Sequence, residues 1–198
     1  MDVNERVMEM DFFKFSKRTF KVLSDDECAL LTCSIGLLVH LAAADRIIKK
    51  EEVSYMKRFL RKATSLETKL ISDYIRFVLI AFKEKKMSDK MIGLFESYLH
   101  NNLSNKQKED FLEVLFSMAK ADDDISKVER EIIKEYAFKI GIDNKDYAQH
   151  LMDNAVELMK ERDSEIAADD ELGTHDDELE FISMGDYSEQ INKRYAKK

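Results

Sequence analysis

Two acidic patterns of the same form, an Asp followed seven residues later by a Glu, stand 77 positions apart in the chain. Carboxylate oxygens are the ligands that Ca²⁺, Mg²⁺ and Mn²⁺ prefer in proteins. The sequence therefore predicts a candidate divalent-cation site at each pattern. The residues are Asp45 and Glu52 in the first, and Asp122, Asp123, Asp124 and Glu129 in the second.

Neither pattern is an EF-hand calcium loop. With Asp122 at the first position of such a loop, Lys127 falls where Gly is needed and Ile133 where a bidentate Glu is needed. The first pattern fits less well, because Ile47 takes the third position. A looser site remains possible, because an Asp at the end of one helix and a Glu in the first turn of the next converge across a short turn.

Helix capping is the competing interpretation of the two Glu residues. Ser126 and Glu129 have the spacing of a capping box, in which a hydroxyl and a carboxylate satisfy the first N–H groups of a helix. In the first pattern Lys49 stands where the capping Ser would be. This box does not account for Glu52, which favours an ion-pair or functional role for that residue.

The residues around the acidic patterns repeat at the same offset of 77. The unit reads as helix, acidic turn, helix, and it predicts two related halves over residues 25–85 and 102–160 with a bridging helix over 88–101. We therefore expect an all-α fold, a compact bundle of about seven to nine helices built from two pseudo-symmetric halves. The identities that support the repeat include Leu38/Leu115, Ala42/Ala119, Ala44/Ala121, Ile48/Ile125 and Lys57/Lys134.

Helical periodicity and capping signals place the individual elements. Residues 4–23 carry apolar side chains near helical spacing and predict one amphipathic helix. Ser24 and Glu27 form a capping box before a nearly apolar stretch, which predicts a helix buried on most sides and reaching about Ala44. Shorter helices are expected over 50–63 and 127–140, and Gly141 is a favourable stop for the latter.

Most of the net negative charge lies in the last 38 residues of the sequence. Residues 161–198 hold 12 acids and 5 bases, whereas residues 1–160 hold 28 acids and 27 bases. A nearly neutral body has no basic stripe, so nucleic-acid binding is not expected. Residues 161–180 predict an acidic linker, and the apolar-rich residues 181–198 a short helix or a segment that docks on a groove of this chain or of a partner.

Other classes of site are weakly indicated. The sequence contains no apolar stretch long enough to cross a membrane and no signal-peptide pattern. We therefore expect a cytoplasmic protein with no direct membrane insertion. Cys28 and Cys33 lie five residues apart, which is not the spacing of a zinc or redox motif, and they are expected to be buried thiols.

The double pattern Ala-Asp-x-x-Ile-x-x-x-Glu, beginning at Ala44 and at Ala121, resembles the tellurite-resistance TerB-like family. That family also includes the N-terminal domain of a membrane-anchored DnaJ-like co-chaperone. The resemblance covers about residues 25–160. It implies an all-helical domain of two related halves and divalent-cation binding by the acidic residues that follow the buried helices. The chain departs from the family at Arg46 and Asp123, where Gly is usual.

The function expected on these grounds is a non-catalytic TerB-like module for stress response and protein interaction. It would bind a divalent cation through its acidic turns, use no organic cofactor, and bind protein partners, a membrane-associated complex among them. The alternative is a small metal-dependent hydrolase that uses the same carboxylates. His175 and Asp176 have the letters of a phosphohydrolase dyad, but they lie in the acidic linker without an apolar helix around them.

Overall fold

Helices account for nearly all of the regular structure. The computed structural model describes residues 2–45, 47–64, 66–85, 88–121, 125–142 and 181–183. Within these ranges the eight α-helices are α1 (Val3–Met8), α2 (Asp11–Thr19), α3 (Asp25–Ala42), α4 (Lys50–Thr64), α5 (Thr68–Lys85), α6 (Asp89–Asn102), α7 (Asn105–Ala119) and α8 (Lys127–Ile140). A 3₁₀ turn (Ala43–Asp45) follows α3, and the two short strands are β1 (Ile47–Lys49) and β2 (Phe181–Ser183). The prediction of an all-α fold is confirmed.

Helix α3 is the centre of the molecule. From Cys28 to Ala42 every residue except Leu30 is buried, and the helix contacts α1, α2, α4, α6, α7 and α8. The capping box at Ser24 and Glu27 starts the helix as predicted, with the Glu27 carboxylate accepting the Ser24 N–H at 2.7 Å. Because most of its residues from Cys28 onward are apolar and they lie on all sides, α3 is stable only when other helices surround it.

Gly36 allows α3 and α6 to approach closely. A Cβ added at Gly36 would lie 2.6 Å from Cδ2 of Phe95 and closer still to Cε2. Real Cβ atoms do not come so near a ring, and Phe95 is itself fully buried and has no space to retreat. The absence of a side chain at this position is therefore a packing requirement of the α3–α6 contact.

We expect Gly36→Ala to lower the free energy of unfolding by about 1–3 kcal/mol, because the added methyl overpacks the core against Phe95. Gly93→Ala is the matched control: its Cβ would meet nothing nearer than Glu96 Oε2 at 3.9 Å. That control should raise stability by about 0.5–1 kcal/mol through better helix propensity. Urea denaturation of both variants checks the pair, and equal effects would contradict the packing argument.

A buried hydroxyl network joins α2, α3 and α5. Ser16 Oγ lies 2.8 Å from the Tyr74 hydroxyl, and Thr32 Oγ1 donates to Ser16 Oγ at 2.9 Å. Tyr98 on α6 is also fully buried, but its hydroxyl has no hydrogen-bond partner among the described residues. Burial, with a smaller contribution from Asp26, raises the pKa of Tyr98 to about 12.

Tyr98→Phe and Tyr74→Phe should differ in sign. The first removes an unsatisfied hydroxyl and should leave stability unchanged or raise it by up to about 1 kcal/mol, whereas the second breaks the bond to Ser16 and should cost about 1 kcal/mol. An unfolded Tyr titrates near pH 10, so the unfolded state loses its proton first. Wild-type stability should fall from pH 10 to 12, and Tyr98→Phe should lessen that fall in chemical denaturation at each pH.

The prediction of one helix over residues 4–23 was wrong, because the chain forms α1 and α2 with a break at Glu9 and Met10. Met10 has extended backbone angles, φ −66° and ψ 141°. The break has a packing cause, since α1 lies mainly on α6 whereas α2 lies on α3 and α5. One straight helix could not bring both apolar faces to these neighbours.

The helix bounds follow the internal repeat. Helix α3 ends at Ala42 and α7 at Ala119, while α4 begins at Lys50 and α8 at Lys127, so both boundaries recur after 77 residues. The predicted bridging helix is α6, capped by Ser88. Gly141 ends α8 with φ 86°, as predicted for a left-handed stop. Overlay of the two halves in three dimensions stays a prediction.

The described part of the chain ends in a three-residue strand. Strand β2 pairs with β1 in an antiparallel ribbon with Ile182 opposite Ile48. These three tail residues therefore lie on the turn between α3 and α4. The predicted helix near Asp143, the acidic linker 161–180 and residues 184–198 lie outside the described residues. None of the helices in the described ranges has the length and apolar character to cross a membrane.

Candidate functional site

The same two helix boundaries flank each acidic turn. In each half a helix with a buried apolar face runs into a short turn, and the next helix begins with a Glu at its third position. In the first half the turn consists of the 3₁₀ segment and β1. In the second half it lies between Ala119 and Lys127. The fold thus places Glu52 and Glu129 at equivalent positions beside the turn that precedes each helix.

Glu52 is a buried helix cap. Only 4% of the residue is exposed, and its Oε2 accepts the backbone N–H of Lys49 at 2.7 Å. The expectation that a capping box could not account for Glu52 is therefore corrected. The carboxylate half of the box forms without the Ser, because the N–H that it accepts is present in every residue except proline.

Glu129 makes the complete capping box. Its Oε2 accepts the Ser126 N–H at 2.8 Å, and Ser126 Oγ accepts the Glu129 N–H at 3.2 Å. Only 2% of Glu129 is exposed. Arg130 reaches back to the turn and donates Nε and Nη2 to the carbonyl of Ile125 at 3.2 and 3.0 Å. The start of α8 is thus fixed to the turn at two points.

Burial separates these two caps from the other capping boxes. Glu27 at α3 and Gln107 at α7 make the same contacts with their N-terminal Ser residues while lying exposed. A capping role therefore does not require a buried side chain. Glu52 and Glu129 carry a charge into the protein interior, where an ionised carboxylate is costly unless hydrogen bonds or positive charge compensate it.

His40 and Tyr136 form a buried hydrogen bond between the two halves. His40 lies on α3 in the first half and Tyr136 on α8 in the second, both are buried, and His40 Nδ1 hydrogen-bonds to the Tyr136 hydroxyl. Sequence reasoning missed this pair, since His40 showed no ligand spacing. The available signal was its place in an otherwise apolar helix, where a buried polar group needs a hydrogen-bond partner.

The other predicted site residues lie next to, or within, gaps between the described ranges. The backbone of Asp45 ends the 3₁₀ turn, while Asp122, Asp123 and Asp124 lie outside the described residues. Within the described ranges no group of three or more His, Cys, Asp or Glu side chains could hold a metal ion. A surface depression lies elsewhere, between α2 and α5, where the rings of Phe15 and Phe77 stack at 3.5 Å between centroids.

We expect Ser126→Ala to lower the free energy of unfolding by about 1 kcal/mol, because the Glu129 N–H loses its acceptor. Ser97→Ala is the control: Ser97 is exposed within α6, and its hydroxyl donates to the Gly93 carbonyl one turn back. Its removal should change stability by less than about 0.5 kcal/mol. Thermal unfolding of both variants measures the difference, and a silent Ser126→Ala would show that the box does not stabilise α8.

Comparison with known proteins gave one match. The family model for tellurite resistance protein TerB matches residues 31–152, which include both acidic turns. No match was found among curated proteins or among solved structures.

Proposed function

The chain belongs to the TerB family, and we propose that it is a non-catalytic stress-response and interaction module that binds a divalent cation at its acidic inter-helix turns. The observation that carries the proposal is the burial of Glu52 and Glu129 at the two repeated positions. The caps Glu27 and Gln107 lie exposed, so capping by itself does not require the burial seen at these two positions.

Several features already compensate the buried carboxylates. Each lies at the N-terminal end of a helix, where the helix dipole favours negative charge, and each accepts a backbone N–H among its contacts. A cation held by the same turn would add to this compensation and would also relieve the unfavourable position of acids after the C-terminus of the preceding helix. The buried Glu96 is compensated by a positive charge in the same way, since its Oε2 lies 3.6 Å from Lys139 Nζ.

The donor set fits a hard divalent cation. Asp122, Asp123 and Asp124 precede Glu129 in one turn, and carboxylate oxygens suit Ca²⁺, Mg²⁺ and Mn²⁺. These four residues would hold the ion, which would supply positive charge and tie the end of α7 to the start of α8. The first turn is the poorer site, because Arg46 places a positive charge next to Asp45.

Protein partners, a membrane-associated complex among them, complete the proposal. Ile47 on the first turn supports this proposal, because it is a large apolar residue that is 42% exposed on a strand.

Cys28 and Cys33 are free, fully buried thiols, as expected from their spacing. Free thiols are typical of reducing compartments, which supports a cytoplasmic location.

Calorimetric titration with Ca²⁺, Mg²⁺ and Mn²⁺ tests the cation site. Glu129→Gln keeps an oxygen that can accept the Ser126 N–H but removes the charge, so it should leave stability nearly unchanged and weaken binding by about tenfold or more. Asp122→Asn should weaken binding in the same direction. Glu27→Gln, the same change at an exposed cap, is the matched control and should bind as the wild type does.

Two results would contradict the proposal. If none of the three ions gives heat with the wild type up to millimolar concentration, the carboxylates serve only as caps and ion pairs. If the Mn²⁺-loaded protein hydrolyses p-nitrophenyl phosphate, and Glu129→Gln abolishes that turnover, the metal-dependent hydrolase is the better description.

A further inference from the structure

The first acidic turn contains a strand that, within the described part of the chain, belongs to a two-stranded ribbon. Strand β1 lies between the 3₁₀ turn and α4, and its side chains alternate: Ile47 is exposed, Ile48 is fully buried, and Lys49 is half-buried. Alternation of this kind is typical of an edge strand with one face on a core. A strand edge offers backbone N–H and C=O groups to any extended segment that lies beside it.

Two contacts that do not involve β2 hold the edge in place. Ile48 is packed in the core, and the Lys49 N–H is donated to the Glu52 carboxylate at the start of α4. These two anchors fix both the position and the direction of β1. A fixed edge costs a binding segment less ordering entropy than a flexible loop would, so it favours strand addition.

The segment that lies on this edge comes from the far end of the same chain. Phe181, Ile182 and Ser183 pair antiparallel with Lys49, Ile48 and Ile47 respectively. We propose that β1 is a strand-addition site for an extended peptide, and that the chain's own tail, through Phe181–Ser183, fills it as a displaceable plug. This inference deepens the interaction role proposed above, rests on that role, and does not depend on cation binding.

The energetics favour an exchangeable plug. A three-residue ribbon forms few backbone hydrogen bonds, each contributing a net of about 0.5–1.5 kcal/mol, and an isolated two-stranded ribbon is marginal in water. The covalent connection to the body supplies an effective concentration on the order of millimolar, which keeps the tail on the edge. A longer strand from a partner would form more hydrogen bonds and displace it.

The second turn lacks the corresponding apolar residue. At the offset of 77, the place of the exposed Ile47 is taken by Asp124. Charged residues on an edge oppose strand addition, whereas an exposed Ile at that place favours it. Strand addition is therefore assigned to the first turn alone.

Engineered cysteines test the pairing in the full chain. Ile47→Cys with Ser183→Cys places two thiols directly opposite each other, within reach of a disulfide. Lys49→Cys with Ser183→Cys is the control, offset by two residues and beyond that reach. The native Cys28 and Cys33 are buried and should not interfere. Under mild oxidation the first pair should form an intramolecular disulfide and the control should not; equal yields, or links only between two chains, would overturn the assignment.

A peptide-binding measurement tests the plug. The probe is a fluorescein-labelled peptide of residues 178–187, used in EDTA so that cation binding plays no part. Ile182→Pro in the full chain removes a strand N–H and should free the edge, so this variant should bind the probe about tenfold or more tightly than the wild type. Ile182→Val keeps the N–H and should behave as the wild type does.

Two controls make the peptide result decisive. The circular dichroism and melting temperature of Ile182→Pro should match those of the wild type, which shows that the helical body is intact. A probe that itself carries Ile182→Pro should not bind. Equal binding of the normal probe to the wild type and to Ile182→Pro, or no binding to either, would overturn the proposal while leaving the cation titration unaffected.

Discussion

The structure depends on the requirement that α3 be buried on every side. From Cys28 to Ala42 the helix carries no charged Lys, Arg, Asp or Glu side chain and is mostly apolar, so the remaining helices must enclose it. This requirement explains why α1 and α2 break apart and cover different neighbours, and why Gly36 admits the Phe95 ring against the α3 backbone. It also explains the hydroxyl network, since Thr32 on α3 meets Ser16 and Tyr74 at a buried contact.

Burying α3 also determines where polar chemistry can occur. The helix delivers its C-terminus into a turn close to the core, and α7 does the same in the second half. The first residues of α4 and α8 therefore begin beside buried surface, which draws Glu52 and Glu129 inward while they cap their helices. The hydrogen bond between His40 and Tyr136 ties α3 of the first half to α8 of the second. The helices that flank the two turns are thus packed in one buried core.

Local signals in the sequence predicted the parts of the fold that depend on neighbouring residues. The capping boxes at Ser24 and Ser126 and the stop at Gly141 were predicted correctly, because each is decided within three or four residues. The repeat predicted equivalent helix boundaries. The break at Met10 carried no Gly or Pro to reveal it, since its cause is packing against separate helices. The pairing of β1 with β2 joins residues more than 130 positions apart, so no local pattern could show it.

The two proposed functions, ion binding and strand pairing, fall on different copies of one repeated unit. Both halves keep the buried Glu at the start of the second helix, which the cap and the core require. The residues after the Asp are free of that requirement, and they differ: Arg46 and Ile47 in one turn, Asp123 and Asp124 in the other. Acidic residues there, close in sequence to the buried Glu129, supply the oxygen donors that a hard divalent cation prefers. A basic residue followed by an exposed Ile weakens that attraction and leaves an edge on which an extended chain can pair. Under the functions proposed above, the same scaffold would let the second turn bind an ion and the first turn pair with an extended chain.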